Sequence, residues 1–305
     1  MSMVVIGSAF VDLKGYSLET YIPGGRNPGR VEEVHGGVAR NIAEDLAAAG
    51  ERPVYVGLAD PTSAGAGVLR HLRERGVDVS HSRTAADGMG TWLAVFDHRG
   101  DVVASVSKRP DLRPIGEILA QEGEAVFSEA DCVLLELDLE EETLLRAFAL
   151  AEKHSVPVYA AVSVMSIAAS RRSFLPRTAL FVCNRQEMGL LFGEEVEEDL
   201  EPDEVYLRLL RHLRRESIPA MVVTLGDRGA VWATREGARG CCPPVPAEVV
   251  DTTGAGDAFF AGTCLGLKRG KSLEEACRVG AKLASAVVAT RMNVAPDMTP
   301  EQLGL

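Results

Sequence analysis

The sequence lacks the marks of several protein classes. Its six cysteines (132, 183, 241, 242, 264 and 277) show no CxxC spacing, and Cys241 and Cys242 are neighbours. A disulfide framework or a zinc site is therefore not expected, and the thiols read as buried and free. No window approaches the roughly 18 consecutive apolar residues of a membrane span. The opening MSMVVIGSAFVDL has a short apolar run, no basic stretch ahead of it, and Asp12 early. It does not read as a secretory signal, and a cytoplasmic location is expected. Positive charge is also scarce: 32 Lys and Arg against 44 Asp and Glu leave a formal net charge of -12. That argues against a protein that tracks nucleic-acid phosphates with a basic face. A small anionic ligand remains open, because it needs only local positive potential. No internal repeat is visible. Two apparent phosphate motifs fail. "GLKRGKS" (266–272) lacks the glycine that a P-loop requires at 265, which is leucine, and it follows a helical stretch, so it reads as a helix stop and restart. "GAGVLR" (65–70) is not GxGxxG.

What is present is an ordinary globular chain of 305 residues, 46% hydrophobic and 25% charged, enough for one large domain. Short apolar runs alternate with amphipathic stretches. Strands are predicted at 3–7, 53–59, 132–139, 156–164, 179–184 and 219–226, and helices at 37–50, 66–76 and 140–154. In the first helix Val38, Ile42, Leu46 and Ala49 share a face and Gly50 is the stop. This rhythm implies a mostly parallel sheet covered on both faces. Residues 91–107 break it and read as a hairpin turning at His98–Asp101. Residues 14–35, rich in glycine and proline with a short strand "RVEEV", break it too. The two pieces, roughly 13–36 and 89–108, are expected to form a small β-lid inserted in a single domain over 1–305. The acidic stretch 193–204 reads as a solvated loop. Residues 208–217 read as a surface helix with Leu209, Leu210 and Leu213 inward.

The most informative stretch is "VVDTTGAGDAFFAG", Val249–Gly262. Val249 and Val250 read as the end of a strand, and the residues after Asp257 as a helix. Gly254, Ala255 and Gly256 would then turn from one to the other. Amides at a helix N-terminus, with no side chains in the way, make an anion site. Asp257 beside them could be only a complement to the helix dipole. A carboxylate next to an anion site is unfavourable unless it has a task, and accepting a proton from a hydroxyl that attacks a phosphoryl group is such a task. Asp12 could be a turn former. Asn41 is a poor helix former inside a helix, which favours a polar task. Glu187 could simply complement a helix dipole.

At "DTTGAGDAFFAG" the chain resembles the ribokinase-like superfamily of carbohydrate and nucleoside kinases. "HGGVARNIAEDLAAAG", "GSAFVDLKG", "CNRQE" (183–187) and "VVTLGDRGAVW" (222–232) resemble its other landmarks, in the same order, over nearly the whole chain. The resemblance implies a three-layer α/β/α fold with a mostly parallel central sheet and a small β-sheet lid. It implies ATP with Mg2+ and a small nucleoside or sugar acceptor, and no nucleic-acid or membrane partner. Asp257 would be the base, and the amides of Gly254, Ala255 and Gly256 the anion hole. Asp12, Gly36, Gly37 and Asn41 would hold the acceptor. Asn184, Thr224, Gly226 and Gly229 would line the ATP site. Asn184 and Glu187 would act on magnesium through water. Asp251 and Thr253 match positions that hold a monovalent cation, with K+ the candidate. Relatives pair their lids, which allows a homodimer.

Within the superfamily, "VDLKGY" followed by "NPGRVEEVHGGVARNIAEDLA" is most similar to pseudouridine kinases. The resemblance therefore implies transfer of a phosphoryl group to the 5′-hydroxyl of pseudouridine. A kinase for ribose, fructose or another nucleoside such as inosine is the alternative, and a nucleoside-binding regulator without turnover is another. Where many sugar kinases carry Asp-Pro, this chain reads Ala160, Ala161, Val162, Ser163. Ser163 and Ser166 are expected to line the pocket instead, and Lys14 or Ser163 to read the base.

Overall fold

The structure, a computed structural model, describes residues 2–98, 102–197 and 200–305. Nine strands form the central sheet. They are β1 (Ser2–Gly7), β4 (Val54–Ala59), β5 (Arg83–Thr84), β8 (Ala130–Glu136), β9 (Val158–Ala161), β10 (Leu180–Asn184), β11 (Ala220–Thr224), β12 (Ala230–Thr234) and β13 (Arg239–Cys242). Their order is β13-β12-β11-β10-β9-β8-β1-β4-β5. All neighbours run parallel except β12, which is antiparallel to both β11 and β13. Along β1 the side chains alternate between two cores: Val4 and Ile6 face one, Met3 and Val5 the other. A strand buried on both faces must be apolar at every position, which is why MVVIG is unbroken.

The first core lies under α3 (Arg113–Ser128), α4 (Glu141–His154), α6 (Arg185–Phe192) and α7 (Pro202–Glu216), with the single turn α5 (Met165–Ala168) beside them. The second lies under α1 (Val38–Ala48), α2 (Ser63–Glu74), α8 (Ala255–Lys268), α9 (Leu273–Val288) and the short α10 (Pro300–Leu303). The expected three layers are therefore present. The false P-loop is the end of α8, where Gly270 takes a left-handed φ of 75°, and the start of α9 at its cap Ser272.

The lid is a separate four-stranded sheet ordered β3-β2-β6-β7, from β2 (Phe10–Ser17), β3 (Gly29–Gly36), β6 (Gly90–Phe96) and β7 (Val102–Lys108). The predicted hairpin is β6–β7; the tip of its turn, residues 99–101, lies outside the described residues. β2 and β6 are parallel with Asp12 opposite Trp92, Lys14 opposite Ala94 and Tyr16 opposite Phe96. Paired residues share a face, so these six point the same way. The other face carries exposed Val31, Leu93 and Val106.

Three expectations are corrected. Val249 and Val250 belong to no strand: both are exposed in an irregular segment after β13. Pro243, Pro244 and Pro246 cannot donate to a ladder, so the sheet edge ends at Cys242. The last helix of the motif begins earlier than predicted, at Ala255, and Asp257 lies in its first turn. Cys241 is exposed, whereas the other five cysteines are buried and free. The acidic loop ends at Pro202, where α7 starts behind a capping box of Glu201 and Glu204; Glu198 and Asp199 lie outside the described residues. Among the described residues no helix is long and apolar enough to cross a membrane.

Candidate active site

A cleft of about 580 Å3 opens beyond the carboxyl ends of β10 and β11, the usual ligand position in an open α/β sheet. Asn184 and Thr224 are register partners at those ends. Gly226 and Gly229, in the turn between β11 and β12, line the same cleft. So do Ala255 and Gly256 in the first turn of α8. Sequence reasoning did not foresee the opposite walls. One is the irregular segment with Pro244, Val245 and Val249, and the other is α9. Ala281, Ala284, Ser285 and Val288 share one face of α9 at helical spacing, and their small side chains leave room for a flat ring.

The turn into α8 is shaped by Gly254. It is the helix N-cap with φ 85° and ψ -11°, left-handed. A Cβ there would also overlap the carbonyl oxygen of Asn293. Only glycine meets both demands. Gly256 differs, since a Cβ would meet nothing within 4 Å. Bare space above Gly256 is what a ligand approaching the helix N-terminus would use.

Asp257 stands at the inner end of the turn and is part-buried. Burial pushes its carboxyl up to about 7, against the lowering effects of a hydrogen bond from Asn41 and the charge of Arg40; Glu187 and Asp12 push the same way as burial. Asn41 Nδ2 donates to Asp257 Oδ2 at 2.7 Å. The Asn41 amide is itself oriented. Its Oδ1 accepts from Arg40 Nη2 at 2.6 Å, so the NH2 end must face Asp257. The Arg40 guanidinium is buried, and it also donates to the carbonyls of His35 and Gly36 and pairs with Glu44. Arg40 was missed as a functional candidate, although it lies inside the motif that singled out Asn41.

The paired glycines at the head of α1 serve close approach. A Cβ on Gly36 would sit 2.6 Å from the Asp12 carboxyl carbon, and one on Gly37 (φ 96°) 2.7 Å from Cα of Ala9. Glu136, also missed, pins this corner: its Oε1 accepts from the backbone of Ser8 at 3.1 Å and of Ala39 at 2.6 Å. Burial, and after it the charge of nearby Asp138, raises the Glu136 carboxyl. Asp12 is buried and likewise raised by burial. Its Oδ2 accepts from Asn293 Nδ2 at 2.7 Å. Asn293 is the third missed residue, a lone Asn in an irregular loop with no local signal. Its loop is tied to α1 by the Ala295 N–H, which donates to Asp45 Oδ1 at 2.8 Å.

Lys14 is not where a reader of a base would be. Its side chain is fully buried, with Nζ 2.9 Å from Asp251 Oδ2 and 3.0 Å from Asn293 Oδ1. The ammonium takes the shortest route to a counter-charge, because burial without one is costly. Ser163 donates its N–H to Asp138 Oδ1 at 3.0 Å, so a carboxylate from the end of β8 reaches the corner where Asp-Pro is missing. Ser163 and Ser166 are absent from the lining of the cleft beside α9, as are Asp12, Asn41 and Asp257.

Asn184 and Glu187 form a capping box at the head of α6. Asn184 Oδ1 accepts from Glu187 N at 2.8 Å, and Glu187 Oε2 from Asn184 N at 2.7 Å. Burial raises the Glu187 carboxyl. One Glu187 oxygen stays outside the box. Among the described residues no group of three His, Cys, Asp or Glu could hold a metal directly. This donor set therefore fits a hydrated ion held through water and not a fully protein-ligated one. The expected monovalent cation fits poorly. Asp251 Oδ2 already has Lys14, and Oδ1 accepts from Thr253 N at 2.9 Å and Thr253 Oγ1 at 2.7 Å. Burial works against the Asp251 charge, but these partners outweigh it and hold the carboxyl below its ordinary range.

Comparison with known proteins gives a consistent picture. The family described as pfkB family carbohydrate kinase matches residues 1–299. A guanosine-inosine kinase of Exiguobacterium acetylicum is 33% identical over 303 residues, covering 99% of this chain and 98% of the relative. The pseudouridine kinase of Escherichia coli is 26% identical, covering 97% and 93%. The ribokinase of Arabidopsis thaliana, solved with ribose and ATP, superposes with a TM-score of 0.81 at 21% identity over 99% of this chain and 97% of that one.

Proposed function

The chain belongs to the pfkB family of carbohydrate kinases, phosphotransferases with an alcohol acceptor, and from that premise we propose that it transfers the γ-phosphoryl group of ATP to the 5′-hydroxyl of a nucleoside. The observation that carries the chemistry is Asp257: one carboxylate, raised to about 7 and held by Asn41 through a single oxygen, in the first turn of α8. Its other oxygen accepts the proton of the acceptor hydroxyl. The hydroxyl oxygen forms the new bond to phosphorus, the bond from phosphorus to the bridging oxygen breaks, and ADP leaves. The amides of Gly254, Ala255 and Gly256 stabilise the charge that develops on the transferred group. Asp12 and Asn41 hold the ribose hydroxyls, and the cleft beside α9 takes the adenine of ATP. A hydrated magnesium ion, held through water by Glu187 and Asn184, would neutralise charge on the phosphates.

Two observations favour a nucleoside over a plain sugar. Trp92 lies beside Asp12 on the same lid face, with Phe96 and Tyr16 following; Trp92 meets Phe96 edge-on at 6.3 Å and Tyr16 stacks on Phe96 at 4.9 Å. An aromatic row next to a ribose site suits a flat base. The 33% identical relative is named for guanosine and inosine. That favours a purine nucleoside, while the wording of the N-terminal motifs supports pseudouridine as the second reading. The test is kcat/KM with guanosine, inosine, pseudouridine, uridine, ribose and fructose. A nucleoside should exceed both sugars by at least about tenfold, the loss expected when base contacts go unmade. Ribose or fructose matching the best nucleoside would leave only a sugar kinase. Pseudouridine leading the panel would select the second reading.

A further inference from the structure

We propose that the ammonium of Lys14 stands in for a monovalent cation at Asp251, so that this kinase sets the geometry of its anion turn without one. Lys14 is then a positioning residue, acting through Asp251. The inference rests on the reading of residues 254–256 as the anion turn.

Four observations lead there. The Lys14 side chain has 0% exposure although it comes from the lid strand β2, and it crosses 237 residues of sequence to reach Asp251 at 2.9 Å. Both oxygens of Asp251 are taken, one by Lys14 and one by the amide and hydroxyl of Thr253. The turn closed by Asp251 and Thr253 leads directly into Gly254, the left-handed cap of α8. Finally, Asn293 accepts from the same ammonium at 3.0 Å and donates to Asp12 at 2.7 Å.

These contacts have a physical consequence. An Asp251 carboxylate without a cation would repel the phosphates that the neighbouring amides attract. A positive charge must therefore stand on Asp251 for the turn to receive an anion. A covalently tethered ammonium does this at no cost in translational freedom, and a second cation at the same carboxylate would be repelled. The same group fixes the Asp251–Thr253 turn and, through Asn293, the acceptor carboxylate Asp12.

The experiment uses the whole enzyme with ATP, magnesium and whichever acceptor it turns over best. Turnover and thermal midpoint are measured in choline, sodium and potassium chloride at equal ionic strength. The wild type should vary by less than about twofold among the three salts, with no potassium-specific rise in midpoint. Lys14→Met should lose at least about tenfold in kcat in choline, as expected when a positioned electrostatic group is removed. It should regain part of that loss, and part of its thermal stability, in potassium chloride. Lys14→Arg should remain indifferent to the salt. Stimulation of the wild type by potassium of about fivefold or more overturns the proposal, as does a Lys14→Met enzyme at full rate in choline. Should Lys14→Met fail to fold, the wild-type titration and Lys14→Arg still decide. The choice of acceptor does not enter: a preference for ribose would sink the nucleoside reading and leave the salt response intact.

Discussion

The two halves of the site are built differently. The half proposed for the nucleotide is mostly backbone: a left-handed glycine, two amides at a helix N-terminus and a turn between two strands, walled by small side chains. The half proposed for the acceptor is a chain of interlocked polar side chains. Arg40 orients Asn41, which holds Asp257; Lys14 and Asn293 tie Asp251 to Asp12. A backbone site tolerates change wherever space is free and fails where φ or packing forbids a Cβ. A side-chain network fails at each donor, because every deletion leaves a buried partner unmet.

Asp257 joins the halves, and its loss should have the largest effect. Asp257→Asn keeps the shape and removes the proton acceptor, so kcat should fall about 10²–10⁴-fold under conditions where chemistry limits turnover. In the wild type, kcat/KM should rise with pH through about 7 as the carboxylate loses its proton. The same shift has a sign for stability. An acid whose proton affinity is higher folded than unfolded stabilises at low pH, and that contribution is lost as pH rises through the folded value. Asp257→Asn should therefore raise the thermal midpoint above pH 7 and change it little near pH 4. A variant with wild-type kcat removes Asp257 from the chemistry.

The backbone half is tested by a pair of alanines. Gly254→Ala must move the Asn293 carbonyl or abandon a φ of 85°. It should cost on the order of 10²-fold in kcat through displaced donors, together with a lower thermal midpoint. Gly256→Ala meets open space. It should fold as the wild type does and show its effect in the KM for ATP. Equal behaviour of the two variants would mean that the turn is not a backbone-built anion site.

The smallest effect is expected at Glu187. Glu187→Gln can still accept in the capping box, so α6 should keep its start and stability should change by about 0.5–1 kcal/mol at most. The magnesium concentration for half-maximal rate should rise a few-fold, since one negative partner of the hydrated ion is gone. An unchanged magnesium titration would leave Glu187 only its place in the capping box.

The contrast between the halves also explains what could be read in advance. Gly254, Ala255, Gly256 and Asp257 are contiguous, and Asn184 with Glu187 spans four residues; a local backbone device writes a local signature. Gly226 and Gly229 came only with the resemblance to the kinase superfamily, and all four residues it implies at the ATP site line one cleft. Lys14 and Asp251 were each legible as candidates for other roles, but their pairing was not. Asn293 left no local mark.

By itself the sequence determined the alternation of buried strands and amphipathic helices, hence the layered sheet, and the bare turn before Asp257. Both follow from periodicity and from residue types whose backbone limits are local. Only the tertiary structure decided which charges meet. Lys14 with Asp251, Asn41 with Asp257 and Asn293 with Asp12 are 237, 216 and 281 residues apart. The physical reason lies in the cost of burial: a buried ammonium or carboxylate must find a partner, but nothing in its own neighbourhood says which one until the lid has folded over the sheet.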